Sequence, residues 1–144
     1  MATNSRQKGK KGESLVQDFL HEYTNYTFEL TPGSGNGLIK GDLHIKGKNN
    51  FFCIEVKNYA ESPLTDKIFT SKTNNLIQWW TKLVVQSKNK SPLLFFRYNR
   101  SKLFVATSIK PTEVKKYLDI NWLNCYIMLA EEWITKEDIK WLVS

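Results

Sequence analysis

Sulfur and imidazole are scarce in this chain of 144 residues. The two cysteines, Cys53 and Cys125, stand far apart with no CxxC spacing, and the two histidines, His21 and His44, form no ligand pattern. This argues against a zinc site and against a disulfide scaffold, both of which need clustered or paired side chains. Both thiols read instead as buried core groups, which points to an intracellular setting. No apolar run approaches the roughly 20 residues of a membrane span. The N-terminus is polar and basic and lacks the apolar segment of a secretory signal. Internal repeats are absent, and so are low-complexity tracts beyond a short basic arm.

What the chain does have is positive charge, and it is unevenly spread. The net charge is +7 and the pI about 9.4. Residues 1–60 carry eight basic and six acidic side chains, 61–110 nine and two, and 111–144 four and six. The excess lies in the middle, together with a leading run of Arg6, Lys8, Lys10 and Lys11 ahead of the first acid. Such clusters suit a polyanionic substrate, although basic tails also serve simply as solvated surface. The length fits one domain over residues 1–144 with a real core, residues 1–12 being a basic arm and 109–144 a C-terminal extension.

The chemistry concentrates between residues 41 and 58. Asp42 sits in an apolar context with Leu43 and Ile45 that predicts a strand, and Gly47, Asn49 and Asn50 read as a turn. Phe51 to Lys57, FFCIEVK, predicts a second strand. Alternation puts Cys53, Glu55 and Lys57 on one face and Phe52, Ile54 and Val56 on the other. Glu55 and Lys57 are then neighbours separated by roughly 6–7 Å of strand rise. Charges at the end of an apolar strand are costly unless paired or metal-bound. One reading is a plain Glu55–Lys57 ion pair beside an unrelated turn aspartate. The other is a phosphodiesterase centre. There, Asp42 and Glu55 would hold a hard divalent cation with the backbone carbonyl of Val56. Lys57 would contact the attacking water or the charge developing on phosphate. His44 shares the parity of Asp42. It reads as a packed or partly exposed histidine, with a supporting role behind Asp42 as the alternative.

The spacing D-(x)n-E-x-K on a hairpin resembles the PD-(D/E)xK nuclease superfamily, and within it the archaeal-type Holliday-junction resolvases and their phage relatives. Three blocks carry the resemblance: KGKKGESLVQDFL (Lys8 to Leu20), TPGSGNG (Thr31 to Gly37), and GDLHI followed by CIEVKN (Gly41 to Asn58). Gly41 stands where the superfamily motif has its proline, and the acid that binds metal is the residue after it. The resemblance implies that Glu13, at the edge of the helical stripe Leu15, Val16, Phe19, Leu20 and Tyr23, supports the metal site. A first-turn glutamate favoured by the helix dipole explains Glu13 equally well. It also implies that Ser34 contacts phosphate or the active site. The catalytic set is thus Glu13, Ser34, Asp42, Glu55 and Lys57, with magnesium as the cofactor and manganese as a substitute. Expected DNA contacts are Arg6, Lys8, Lys10, Lys11, Ser34, Asn36, Lys40 and Lys72.

The element order reads as αβββαβ, the restriction-endonuclease-like α/β fold with a mixed central sheet flanked by helices, followed by a small αβα extension. Helices are predicted over about 11–23, 72–87, 112–118 and 135–142. The second has an apolar face of Leu76, Ile77, Trp80, Leu83 and Val84. Strands are predicted near 26–30, 93–96, 103–107 and 125–129, beside the two that carry the site. Trp79 falls to one side of its helix stripe; it reads as half-buried, as a platform for a base or as part of a subunit interface, and the interface is preferred because aromatics are enriched there. The resemblance implies a structure-selective endonuclease that resolves four-way junctions in branched DNA by paired cuts, acting as a homodimer. The alternatives are a restriction-type or repair nuclease acting on duplex, flapped or single-stranded DNA, and an inactive DNA-binding module. The absence of a zinc finger or helix-turn-helix pattern favours recognition of DNA shape over sequence. The expected location is the cytoplasm of a bacterial, archaeal or phage-infected host cell.

Overall fold

The computed structural model describes residues 5–31 and 41–143, with the side chains of residues 5 and 6 left aside. The described elements are α1 (Ser5–Tyr23), β1 (Phe28–Leu30), β2 (Leu43–Ile45), β3 (Phe52–Asn58), α2 (Lys67–Thr70), α3 (Asn75–Ser87), β4 (Ser91–Arg97), β5 (Phe104–Thr107), β6 (Leu118–Ile120), β7 (Cys125–Leu129) and α4 (Ala130–Lys136). The strands form one mixed sheet in the order β1-β2-β3-β4-β5-β7-β6. Only β3 and β4 run parallel; the other pairs are antiparallel. The parallel pair requires a crossover, and α2 and α3 supply it.

Two cores follow from strand alternation. Phe52, Ile54 and Val56 of β3 join Leu93 and Phe95 of β4 and Val16 and Leu20 of α1 on one face. Cys53, Leu94 and Phe96 join Leu76, Trp79, Trp80 and Leu83 of α3 on the other. Because β4 is covered on both faces, residues 92–96 are all buried, and its sequence reads as an unbroken apolar run rather than an alternating one. Pro92 fits in this central strand by position. The Ser91 N–H bonds the Phe51 carbonyl at 3.0 Å, so the next nitrogen points toward β5, whose pairing with β4 begins only at Leu93.

The structure corrects several expected elements. α1 starts at Ser5, so Lys8, Lys10 and Lys11 ride on the helix that carries Glu13 and do not belong to a separate arm. α3 is capped by Asn74, whose side-chain oxygen accepts the Ile77 N–H at 3.2 Å. Its apolar face includes Trp79, which is 8% exposed, while Val84 is 43% exposed. Trp79 therefore packs within its own chain, 6.2 Å from the Phe96 ring and 4.8 Å from the Tyr59 ring, and its assignment to a subunit interface is withdrawn.

No helix forms at residues 112–118. The Glu137 carboxylate accepts the backbone N–H groups of Thr112, Glu113 and Val114 at 2.9, 2.7 and 2.7 Å. Burial works against the charge of Glu137, but these bonds outweigh it and hold its pKa below the ordinary value. That clamp fixes a turn after Pro111, Val114 plugs the core at 1% exposure, and the chain leaves as edge strand β6. The last helix also begins earlier than expected. It starts directly after β7, with Glu131 and Glu132 in its first turn and Trp133 and Ile134 buried, and a short 3-10 turn at Lys140–Leu142 closes the chain. The C-terminal residues thus add two strands to the same sheet.

Candidate active site

The centre lies where β2 begins beside β3. The Asp42 N–H donates to the Ile54 carbonyl at 2.7 Å, and the Asp42 carbonyl accepts from the Thr31 N–H at 2.9 Å. Asp42 therefore precedes β2 by one residue while already sharing its backbone pairing. Its Oδ2 accepts the Val56 N–H at 2.8 Å. The side chain thus continues the ladder where the partner strand ends. Along β3, Ile54 and Val56 turn their backbone groups to this same edge, so the Val56 carbonyl faces the Asp42 carboxylate region.

Two glycines make the approach possible. Gly41 has φ +91°, and a Cβ there would meet the Ile54 carbonyl oxygen at 2.6 Å. Proline, fixed near −65°, could not take this conformation. The residue in the position of the motif's proline is thus glycine for a backbone reason. At Gly12 a Cβ would meet the Asn58 Cβ at 2.7 Å. The missing side chain lets α1 lie directly on β3, and the Asn58 amide secures the contact by donating to the Lys8 carbonyl at 3.0 Å. Glu13, the next residue, is carried in this way toward Asp42. No sequence pattern marked Gly12, because its role depends on a contact with a residue far along the chain.

The electrostatics are those of crowded carboxylates. Burial, the Asp42 charge and, more weakly, Glu13 push the Glu55 pKa up to about 7 against the pull of Lys57. Burial also raises Asp42, opposed by the Val56 N–H and Lys57, and raises Glu13, where Asp42 adds to it and Lys10 subtracts. The Lys57 ammonium stands 3.6 Å from Glu55 Oε1, with both side chains partly covered. This donor set suits a hard divalent cation, since charge repulsion among desolvated oxygens is what such an ion relieves. Among the described residues, no three Asp, Glu, His or Cys side chains gather tightly enough to make a complete cage. Asp42, Glu55 and a backbone carbonyl would leave coordination positions for water and substrate oxygen.

Other expected residues fall variously. Lys8 reaches Asn99 Oδ1 at 3.0 Å and, with Gly9, lines a cavity of about 290 Å³ shared with Val56, Lys57, Asn58, Tyr59 and Ala60. Lys10 is close enough to act on Glu13, and Lys11 is exposed. Lys72 lies exposed in the turn before α3, and no described contact ties it to the centre. Ser34, Asn36 and Lys40, and the side chain of Arg6, lie outside the described residues. The partners of His44 lie on β1 and just after it: its Nδ1 is 3.1 Å from Thr31 Oγ1 and its Nε2 3.7 Å from Glu29. Sequence reasoning missed a second cavity of about 240 Å³, bounded by Glu55, Lys57 and Tyr59 on β3 and its end and by polar residues of α3. No helix among the described residues is long and apolar enough to cross a membrane.

Asp42, Glu55 and Lys57 follow the order of the PD-(D/E)xK motif, and the class is shown by comparison with known proteins. A family described as "Phage putative PDDEXK endonuclease" matches residues 4–142, and the chain belongs to it. Protein D14 of Escherichia phage T5 is 34% identical over 116 residues, covering 74% of this chain and 72% of that protein. Among solved structures, the Holliday junction resolvase Hjc of Archaeoglobus fulgidus aligns over 92% of both chains with a TM-score of 0.46 and 14% identity.

Proposed function

We propose that this protein is a magnesium-dependent endonuclease that hydrolyses DNA phosphodiesters, with manganese able to replace magnesium, and that its substrate is branched DNA in the form of the four-way junction. The observation that carries the chemistry is the Asp42 carboxylate bonded to the β3 backbone beside Glu55 and Lys57. Asp42, Glu55 and the Val56 carbonyl would hold the cation, and Glu13 would add negative charge from α1. A bound divalent cation polarises the phosphate, lowers the pKa of its water and stabilises the leaving oxygen. Lys57 orients the water or neutralises charge as it develops on the phosphate. Lys8 and Lys10, on the helix above, draw the phosphate backbone in. Junction selectivity rests on the likeness of the three sequence blocks to the resolvases. A homodimer with two such centres would supply the paired cuts a roughly two-fold substrate needs.

The test is cleavage of a four-way junction beside matched linear duplex and flap DNA, with magnesium and with EDTA. Magnesium-dependent, symmetric incision of the junction in preference to the others is expected. Equal or better cutting of duplex or flap would replace the junction with those substrates. Undiminished cutting in EDTA would remove the metal.

A further inference from the structure

The cavity between the end of β3 and α3 opens onto both Glu55 and Lys57. The polar part of its α3 wall is Asn75, Gln78, Lys82 and Gln86, spaced i, i+3, i+7 and i+11 along one helix face, with the buried Trp79 and Leu83 beside them. α3 contains no acidic residue. Three neutral amides and one cation therefore look toward a centre rich in carboxylates. An amide side chain offers both donors and an acceptor, the set that pairs with the edge of a nucleobase. The facing wall is Tyr59, 42% exposed, whose ring rests 4.8 Å from that of the buried Trp79. Trp79 in turn lies 6.2 Å from Phe96 in the core. The chain of rings Phe96, Trp79 and Tyr59 fixes an aromatic face at the cavity wall before any ligand arrives. A preordered ring loses little freedom on binding.

We propose that this cavity takes one unpaired nucleotide adjoining the scissile phosphate. The base stacks on Tyr59, its edge meets Gln78 and Asn75, and Lys82 contacts the neighbouring phosphate. At about 240 Å³ the space is smaller than the several hundred Å³ typical of larger ligands, which suits a single base and not a stretch of paired ones. A paired base keeps both its faces and its pairing edge engaged within the duplex. Stacking on a protein ring together with amide contacts is the mode by which proteins hold nucleotides released from pairing. The proposal rests on the DNA-nuclease reading and refines it: the enzyme would be directed to positions where a base is free of its partner, as in a gap or flap, or at a branch point where the pair beside the crossover opens.

The experiment measures binding in EDTA, so that it stands apart from cleavage. Fluorescence anisotropy is followed for a labelled single strand, its duplex, and the duplex with a one-nucleotide gap. For Tyr59→Ala, the ratio of single-strand or gap affinity to duplex affinity should fall about 5- to 150-fold, the range seen when one stacked base loses its ring. Tyr59→Phe should preserve the ratio, because it keeps the ring. Gln78→Ala, at an exposed helix position, should lower it more modestly. An unchanged ratio for Tyr59→Ala, or an equal loss with Tyr59→Phe, overturns the proposal. Failure of the nuclease reading would show differently, as absence of metal-dependent DNA cleavage whatever these ratios are.

Discussion

The Asp42 carboxylate accepts the Val56 N–H at 2.8 Å, and this bond assigns the two halves of the side chain different work. One oxygen extends the β2–β3 pairing just ahead of the first residue of β2. The other is left to face the centre. The acid is thereby held in one rotamer by the backbone of the strand that carries Glu55. Asp42→Asn should keep the shape but not the charge: its amide oxygen can still accept the Val56 N–H, and its NH2 group, a donor that binds no metal, then stands where the other carboxylate oxygen was. We expect both Asp42→Asn and Glu55→Gln to abolish magnesium-dependent cleavage. DNA binding should be equal or tighter, since less negative charge meets the phosphate. Near-normal turnover by either variant, measured under single-turnover conditions, would remove the metal-site assignment.

Lys57 stands 3.6 Å from Glu55 and borders both cavities, so it lies on the path between them. Its proposed role is toward charge that appears only in the transition state. Lys57→Ala should lower the single-turnover rate by two or more orders of magnitude, as removal of one preorganised charge does, with a much smaller change in affinity. If affinity falls and the rate does not, Lys57 is an ordinary phosphate contact.

Glu55 sets an opposition between stability and function. Its pKa in the folded protein, about 7, lies above the ordinary 4.5. Below pH 4.5 it is protonated whether the chain is folded or not, so folding costs nothing extra. As pH rises from 4.5 through 7 the unfolded chain releases the proton first, and the folded state loses stability. Glu55→Gln mimics the protonated acid. The variant should match wild type in thermal stability near pH 4.5 and exceed it above pH 7, by on the order of 2–3 kcal/mol. Added magnesium should raise the melting temperature of wild type and leave the Gln variant nearly unchanged. A constant difference between the two across that range would refute the burial argument.

How much of this was legible in the chain depends on the range of the interactions. The αβββαβ order and the division of β3 into a Glu55–Lys57 face and an Ile54–Val56 face follow from alternation within seven residues, and the structure shows both. Asp42 could be picked out because its neighbours are apolar. Elements set by distant partners were not legible. Residues 112–118 have helix-like composition, but the carboxylate of Glu137 claims their N–H groups from more than twenty positions away. Trp79 is one step off the apolar stripe and is buried against rings from other elements, Phe96 of β4 and Tyr59 beyond the end of β3. The polar stripe of α3 was readable from its spacing, but its meaning depends on what it faces.

The two glycines of α1 offer a contrast that tests the close packing of helix on strand. Nothing lies within 4 Å of a Cβ at Gly9, whereas one at Gly12 would meet Asn58 at 2.7 Å. Gly9→Ala should stabilise by about 0.5–1 kcal/mol through helix propensity alone. Gly12→Ala gains the same propensity but pushes α1 off β3. It should destabilise by about 1–3 kcal/mol, the usual cost of overpacking. It should also impair cleavage, because Glu13 moves with the helix. Chemical denaturation of both variants, alongside their cleavage rates, decides the matter. Equal stabilisation by both would mean that the helix does not rest on Asn58.

The basic residues of α1 give the last prediction. Lys8 borders the cavity beside Lys57, Lys10 acts on Glu13, and Lys11 is exposed. Because α1 includes residues 5–12 as an ordered helix, these cations are carried at fixed positions beside the centre rather than on a loose arm. Neutralising Arg6, Lys8, Lys10 and Lys11 together should weaken binding to every DNA substrate. The dependence of log affinity on log salt should flatten by about 0.9 for each phosphate that is no longer neutralised. Replacing Lys8 alone should account for one such step and Lys11 alone for less, since only Lys8 lines a cavity that adjoins Lys57. The preference among junction, duplex and flap should survive, because a uniform charge interaction does not read shape. An unchanged salt slope in the fourfold variant would show the run to be solvated surface. A slope change for Lys11 as large as that for Lys8 would mean that DNA crosses α1 on its outer side, away from Lys57.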